Sequence, residues 1–206
     1  MIYAFLSQKG GVGKTTLSIH TAAELTRRKR RVLLIDADPQ GSALSWSNCR
    51  EDAMFIVVGM PKATLHKEIE AISADYDDVV IDGPPRAAEI AKSIILAADL
   101  VVIPLQPSPL DVWEATKTLD LIREAQVFRP EIRCCLAINR RIVNTAIGRD
   151  VRLALRELDV PVLKTDIGQR VAFAESAAQG GTVIDAADSK AADEIKRFVN
   201  ELRRIK

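Results

Sequence analysis

The sequence has few of the residues on which several classes of protein depend. Its 206 residues include three cysteines, two histidines and only 4% aromatic residues. No two cysteines form a C-x-x-C pair, so the sequence predicts neither a disulfide framework nor a zinc or iron–sulfur site. His20 and His66 belong to no Ser/His/Asp or Cys/His arrangement, which leaves nucleophilic catalysis without a candidate. We therefore expect an aliphatic core and a reducing, cytoplasmic setting.

Charge and apolar residues are also too evenly spread to indicate a nucleic acid or a membrane as partner. The net charge is +1, so any DNA binding would have to come from a local patch. No apolar run approaches the roughly 18 to 20 residues of a membrane span, and no signal peptide precedes the first predicted strand. Length and composition suit one soluble domain over residues 1–206, without an N-terminal DNA-binding extension.

A glycine-rich segment follows the apolar run of residues 2–6 and opens a helical pattern; it reads Lys9-Gly10-Gly11-Val12-Gly13-Lys14-Thr15-Thr16. Glycines let backbone N–H groups face an anion, and the helix N-terminus adds partial positive charge. Lys14 is then expected to reach the β and γ phosphates of a nucleotide, and the Thr15 hydroxyl to coordinate Mg²⁺. The segment predicts a phosphate cradle, although Gln8 stands where the strict P-loop pattern has its first glycine.

Two further aliphatic runs end in aspartate. Residues 32–35 lead to Asp36 and Asp38, and residues 79–81 lead to Asp82. Carboxylates at the C-terminal edge of a parallel sheet lie where ligands bind in α/β folds. We expect Asp36 and Asp38 to face the γ-phosphate and its metal, and Asp82, at the Walker B position, to bind Mg²⁺ through water. The alternative for the first pair is a plain turn with a helix cap.

These motifs carry a family resemblance. The segment from Lys9 to Thr16 resembles the deviant Walker A motif of the ParA/MinD ATPases, and Asp36-Ala37-Asp38-Pro39-Gln40-Gly41 resembles their second signature. The resemblance covers nearly the whole chain and is strongest to the small ParA-type partition ATPases. It implies Mg²⁺-dependent ATP hydrolysis, with ATP and Mg²⁺ as cofactors.

The resemblance also implies roles for single residues. Lys9 would reach across a dimer interface to the partner's nucleotide, Asp38 would position or deprotonate the attacking water, and Asp36 would help hold the hydration shell of the metal. Catalysis would thus rest on Lys9, Lys14 and Asp38, and metal binding on Thr15, Asp36 and Asp82. Nucleotide binding would rest on Gly10, Gly11, Val12, Gly13, Lys14, Thr15 and Thr16, with Asn139 at the adenine edge.

At the level of the whole protein, the resemblance implies a homodimer with ATP between its subunits and non-specific DNA binding by that dimer. A ParB-like or other adaptor would stimulate hydrolysis, and the ATP-bound form would associate with the nucleoid. The cargo would be a plasmid, a chromosome or another cytoplasmic body. The rivals are a MinD-like regulator at a membrane surface and a metabolic ligase like dethiobiotin synthetase.

The alternation of apolar runs and helical patterns predicts six or seven strands in a doubly wound, mostly parallel sheet with helices on both faces. Short strands are expected over residues 54–58 and 161–165, and helices over 16–28, 63–74, 151–158 and 191–205. The last helix has an apolar stripe, which suits packing on the sheet; its basic side leaves DNA or membrane contact open.

The C-terminal third contains few clear candidates for basic residues that contact DNA. Arg170 is the nearest candidate in the region where ParA relatives keep such residues. Arg149 and Arg152 are three positions apart on a predicted helix and would share a face that could supplement a phosphate-binding surface. A solvated helix face is the alternative for those two.

Overall fold

The fold is a parallel sheet between two layers of helices. The computed structural model describes residues 1–142, 145–185 and 190–205, with the backbone alone for 146–149. The strands are β1 (Ile2–Phe5), β2 (Val32–Asp36), β3 (Ile56–Gly59), β4 (Asp78–Asp82), β5 (Leu100–Leu105) and β6 (Arg133–Ile138). All five pairings are parallel, in the order β3-β2-β4-β1-β5-β6. The predicted doubly wound α/β architecture is confirmed.

The helices connect successive strands and follow the last one. They are α1 (Lys14–Arg27), α2 (Ser42–Asn48), α3 (Leu65–Ser73), α4 (Ala88–Ala97), α5 (Pro109–Gln126), α6 (Ala146–Arg156), α7 (Ala172–Ala178) and α8 (Lys190–Leu202). The predicted helices correspond to α1, α3, α6 and α8, with ends shifted by a few residues.

Two apolar cores form because successive strand residues point to opposite faces of the sheet. Leu34, Val80 and Val102 pack on one face against side chains of α1, α2 and α8. Their neighbours in sequence, Ile35 and Ile81, pack on the opposite face against α3, α4, α5 and α6. This double burial explains why β2, β4 and β5 contain continuous aliphatic runs.

The prediction of a strand over residues 161–165 is wrong. This segment runs beside β6, but it is paired only through the isolated bridge between Leu136 and Val162. Pro161 has no N–H to donate. The amides of Lys164 and Thr165 are taken by the Glu201 carboxylate, at 2.6 and 2.9 Å. Because a carboxylate from α8 captures these donors, no regular ladder forms.

The apolar stripe of α8 packs on the sheet, as the first of the three readings predicted. Ile195, Phe198 and Leu202 are fully buried, and the Phe198 ring stacks on Phe5 of β1 with centroids 6.4 Å apart. The stripe is therefore engaged within the fold. Among the described residues, no helix combines the length and apolar character needed to cross a membrane.

Candidate nucleotide-binding site

The glycine-rich loop between β1 and α1 forms an open cradle. Gly11 and Gly13 have φ of 75° and 95°, in the left-handed region that favours glycine. A Cβ added to Gly10 or Gly11 would meet no atom within 4 Å, so open space lies beside both residues. The Gly13 carbonyl accepts the first helical hydrogen bond, from the Leu17 N–H at 3.0 Å. The loop amides and the start of α1 thus frame a space suited to phosphate groups.

Asn139, at the end of β6, braces this cradle. Its side chain is 5% exposed, and its Nδ2 donates to the Val12 carbonyl at 2.7 Å. A Cβ on Gly13 would overlap Nδ2, so the contact itself requires glycine there. The adenine contact predicted for Asn139 stays a prediction; the structure shows that the residue also positions the loop.

Lys14 lies inside the cradle. It is 6% exposed, and its Nζ donates to the Lys9 carbonyl at 3.1 Å. Burial lowers the pKa of Lys14, while the negative charges of Asp82 and Asp38 act in the opposite direction. A cation held in this way gains stability from a bound anion, because the anion replaces the lost water.

Asp82 ends β4 beside the cradle, in register with Phe5 of β1 and Asp36 of β2. The Ser18 hydroxyl donates to its Oδ1 at 3.4 Å, while its buried Oδ2 accepts no hydrogen bond from the described residues. Burial raises the pKa of Asp82 to about 7, against the opposing effects of the Thr15 hydroxyl and Lys14. An orphaned carboxylate oxygen fits a cation such as Mg²⁺, for which the sequence predicts Thr15, Asp36 and Asp82.

Asp36 has a structural role that the sequence offered only as an alternative. Its Oδ2 accepts the backbone N–H groups of Ala43 and Leu44, at 2.8 and 3.0 Å, and so caps the start of α2. Its Oδ1 accepts the Asp38 N–H at 3.2 Å. A role at the metal's hydration shell, which stays a prediction, would use the remaining capacity of Oδ1.

Asp38 lies half-buried beyond Asp36, and its Oδ1 accepts the Gln40 N–H at 3.0 Å. No residue in the described part of the chain donates a hydrogen bond to its other carboxylate oxygen. The carboxylate is near enough to Lys14 to influence the pKa of that residue. This placement agrees with the rim position that the predicted water-activating role requires, and the role stays a prediction.

Lys9 is held within its own chain. Its Nζ contacts Asp111 Oδ2 at 2.5 Å, and the two side chains are 35% and 2% exposed. The other oxygen of Asp111 accepts the Gln106 N–H at 3.1 Å. The sequence analysis missed Asp111; its position after three prolines, in the first turn of α5, was the available signal.

Two of the three arginines predicted to contact DNA are engaged in the fold. Arg170 forms an ion pair with Glu194 at 2.5 Å. Arg152 pairs with Asp166 and donates to the Leu163 carbonyl at 3.0 Å. These guanidinium groups anchor the segment after α6, and the DNA contacts predicted for them stay a prediction. The side chain of Arg149 lies outside the described residues.

Comparisons with known proteins identify relatives of this chain. The family model of the CobQ/CobB/MinD/ParA nucleotide binding domain matches residues 3–183. The chain is 33% identical over 205 residues to Maintenance of carboxysome distribution protein A of Halothiobacillus neapolitanus, covering 97% of this chain and 94% of the relative. It is 27% identical over 233 aligned positions to the chromosome-partitioning ATPase Soj of Thermus thermophilus, with 97% and 94% covered.

The fold is shared with solved structures. Cobyrinic acid a,c-diamide synthase from Mycobacterium smegmatis, with bound ATP analog and magnesium, matches with a TM-score of 0.82 at 23% identity. The match covers 98% of this chain and 94% of that one. At this identity the likeness concerns the fold.

Proposed function

Because the chain belongs to the CobQ/CobB/MinD/ParA family of nucleotide-binding domains, we propose that it is a ParA-type ATPase that positions a cargo. One observation carries the proposal: the loop holds two lysines in different settings. Lys14 is buried in the cradle, whereas Lys9 stands at its rim, about a third exposed. A metabolic phosphotransferase needs only the first, and a second lysine at the rim suits a site completed by two chains.

The proposed ligands are ATP and Mg²⁺. The loop from Gly10 to Thr16 would hold the phosphates through its amides and Lys14, and Asn139 would lie at the adenine edge. A cavity of about 310 Å³ beside Asn139 gives room for the base, with Phe173 on its wall. Thr15 and Asp82 would hold Mg²⁺, which supplies positive charge to the phosphates. The orphaned oxygen of Asp82 supports this assignment.

The proposed reaction is hydrolysis of ATP. Asp38 would orient the attacking water, while Lys14 and the loop amides bind the phosphate oxygens whose charge grows as the γ-phosphate leaves. Lys9 would complete the site of a second copy of the chain, after it leaves Asp111. The protein therefore contributes mainly positioning and fixed positive charge, as in other phosphoryl-transfer enzymes.

A homodimer with ATP between its subunits is the proposed active form. Leu110 and Trp113 lie beside Lys9 at the start of α5, and they are 60% and 64% exposed. Exposed apolar side chains next to a functional site indicate an interaction surface, and aromatic residues are enriched in such surfaces. A second copy of the chain, approaching rim to rim, would cover them.

The proposed role is spatial. By similarity to relatives named for carboxysome distribution and chromosome partitioning, the ATP-bound dimer would bind DNA without sequence preference, in the cytoplasm and on the nucleoid. A ParB-like or other adaptor would stimulate hydrolysis and release. The burial of the α8 stripe favours this role over a MinD-like action at a membrane.

The first test is retention of the protein on random-sequence duplex DNA with ATP, ADP or no nucleotide, over a series of salt concentrations. We expect binding with ATP alone, falling as salt rises, because contacts to phosphates release counterions. Lys9→Ala should bind ATP as a monomer but fail to dimerise, hydrolyse or bind DNA. Wild-type behaviour of this variant would refute the assignment, and failure of the wild-type dimer to bind DNA at low salt would refute the DNA role.

A further inference from the structure

Arg86 has an unusual backbone conformation. It follows Pro84 and Pro85 in the turn between β4 and α4, and its φ is 56°. A side chain other than glycine, asparagine or aspartate is disfavoured there, and such strain persists where the surroundings impose it. Lys29, with φ of 62°, has an ordinary reason for the same conformation, because it lies just past the end of α1. Arg86 ends no helix.

The turn that carries Arg86 is fixed at its start. The Gly83 N–H donates to the Phe5 carbonyl at 3.1 Å, and a Cβ on Gly83 would overlap the Leu6 side chain. Pro84 is buried, and two prolines in succession restrict the path of the chain. The turn is therefore built to deliver Arg86 to one place.

That place offers Arg86 no counter-ion. The side chain is exposed, and within the described parts of the chain it makes no hydrogen bond or ion pair. It lines a cavity of about 790 Å³ together with Lys9, Trp113, Glu114 and Lys117. Glu114 is already bound by Lys117 at 2.7 Å, and the nearby Asp111 is bound by Lys9 at 2.5 Å. The cavity therefore carries positive charge that its own carboxylates do not neutralise.

The cavity is separate from the chain's own cradle. The loop contributes Gln8 and Lys9 to its lining, but none of the residues 10–16 that frame the phosphate site of the same chain. Arg86 and Lys9 consequently share one side of the rim. An anion that reaches both would come from outside the chain.

We propose that Arg86 binds the phosphates of the nucleotide held by a second copy of this chain, beside Lys9. A guanidinium suits this task because it stays charged and can bind two phosphate oxygens at once. The inference rests on the proposed function, in which water oxygen bonds to the γ-phosphorus and the bond to the β–γ bridging oxygen breaks. ADP leaves with that electron pair, and the water proton passes by way of Asp38 to the released phosphate. Arg86 forms no covalent bond and stabilises the negative charge on the transferring group.

The test separates the effect of the Arg86 charge from the effect of its backbone conformation. Arg86→Asn removes the charge but tolerates the left-handed conformation, and Arg86→Lys keeps a charge. We expect Arg86→Asn to bind ATP within about 2-fold of wild type and to keep or raise the melting temperature, because strain is relieved. Its ATP-dependent hydrolysis should fall about 100-fold, the order found for loss of one charge-stabilising donor, with partial recovery in Arg86→Lys.

Lys29→Asn is the matched control, since it also removes an exposed cation from a left-handed position, at the far end of α1. It should hydrolyse ATP like wild type. Wild-type hydrolysis in Arg86→Asn would overturn the inference while leaving the proposed function intact, provided that Lys9→Ala is inactive. Absence of ATP-dependent dimers in the wild type would instead refute the proposed function itself.

A mixing experiment tests whether Arg86 acts across the interface. Arg86→Asn has an intact cradle, and Asp38→Ala binds ATP but lacks the residue that orients water, while it still supplies Arg86 and Lys9. Mixed at equal concentration, the two variants should hydrolyse ATP well above the sum of their separate rates. A rate equal to that sum would overturn the proposal that Arg86 serves a second copy.

Discussion

The charged groups at the cradle and those in the C-terminal third are arranged in opposite ways. At the cradle, Asp82 keeps a buried oxygen without a hydrogen bond, and in the neighbouring cavity Arg86 has no counter-ion among the described residues. In the C-terminal third, Arg170 pairs with Glu194, and the Glu201 carboxylate receives two backbone amides.

The difference distinguishes charges that build the protein from charges that await a ligand. Satisfied charges fix the path of an irregular segment, because a buried carboxylate that loses its donors is costly. Unsatisfied charges reduce the stability of the free protein, and a nucleotide with its metal would supply the missing partners. Substitutions at the cradle should therefore impair activity more than folding, and those in the C-terminal third the reverse.

The largest effect is expected for Lys14→Ala. ATP hydrolysis should fall about 1,000-fold, because one variant loses both phosphate binding and transition-state charge. The melting temperature without nucleotide should stay the same or rise, since a desolvated cation is removed. An ATP hydrolysis assay and thermal unfolding measure the two effects. Lys92→Ala, an exposed lysine on α4, is the control, and a large loss of stability in Lys14→Ala would contradict the comparison.

Asp38→Ala should separate binding from hydrolysis. The expected result is ATP affinity near that of wild type and a hydrolysis rate about 100-fold lower, the usual contribution of a positioned acid–base group. Single-turnover assays with labelled ATP measure the rate directly. Asp120→Ala, on the surface of α5, should leave it unchanged, and an unchanged rate in Asp38→Ala would remove Asp38 from its role.

Asp82→Asn should change how stability depends on pH. The pKa of Asp82 is raised to about 7, so the folded chain keeps a proton that the unfolded chain releases near pH 4. Stability of the wild type should thus fall as pH rises from about 4 to about 7 and then level off. At pH 8 the variant should be more stable by a few kcal/mol, of the order of 1.4 kcal/mol per pKa unit.

Urea unfolding of the nucleotide-free protein at pH 5 and pH 8 measures this effect. The advantage of Asp82→Asn should shrink at pH 5, while its Mg²⁺-dependent hydrolysis is lost at both values. If the free energies of unfolding of the variant and the wild type differed by the same amount at both pH values, Asp82 would not be the group that titrates.

The smallest effect is expected in the C-terminal third, where the charged groups are paired. Glu201→Ala leaves the amides of Lys164 and Thr165 without their acceptor, and we expect a loss of about 2 kcal/mol in unfolding free energy. ATP affinity should change less than 2-fold, because Glu201 lies away from the cradle. Denaturant unfolding and nucleotide titration check both statements, with Glu89→Ala as the control. A selective loss of ATP binding would break the comparison.

The fold and the motifs were predictable because both depend on residues that are close in sequence. The runs before Asp36 and Asp82 are buried on both faces of the sheet, so strand and chemistry follow directly from composition. The pair of Lys9 and Asp111 was not predictable, since its members are 102 positions apart. The capture of two amides by Glu201 removed a predicted strand for the same reason. The conformation of Arg86 is set by its surroundings, and no residue-type preference indicates it.

The close packing of Gly83 against the Leu6 side chain restricts how the turn after β4 can move. The glycine is pinned between β1 and β4 by its contact with Leu6 and its bond to the Phe5 carbonyl, whereas the chain beyond the two prolines reaches the surface. Gly83 is therefore the point about which this turn can pivot, and the two prolines make the segment beyond it stiff. A small tilt of Asp82 would then become a larger displacement of Arg86.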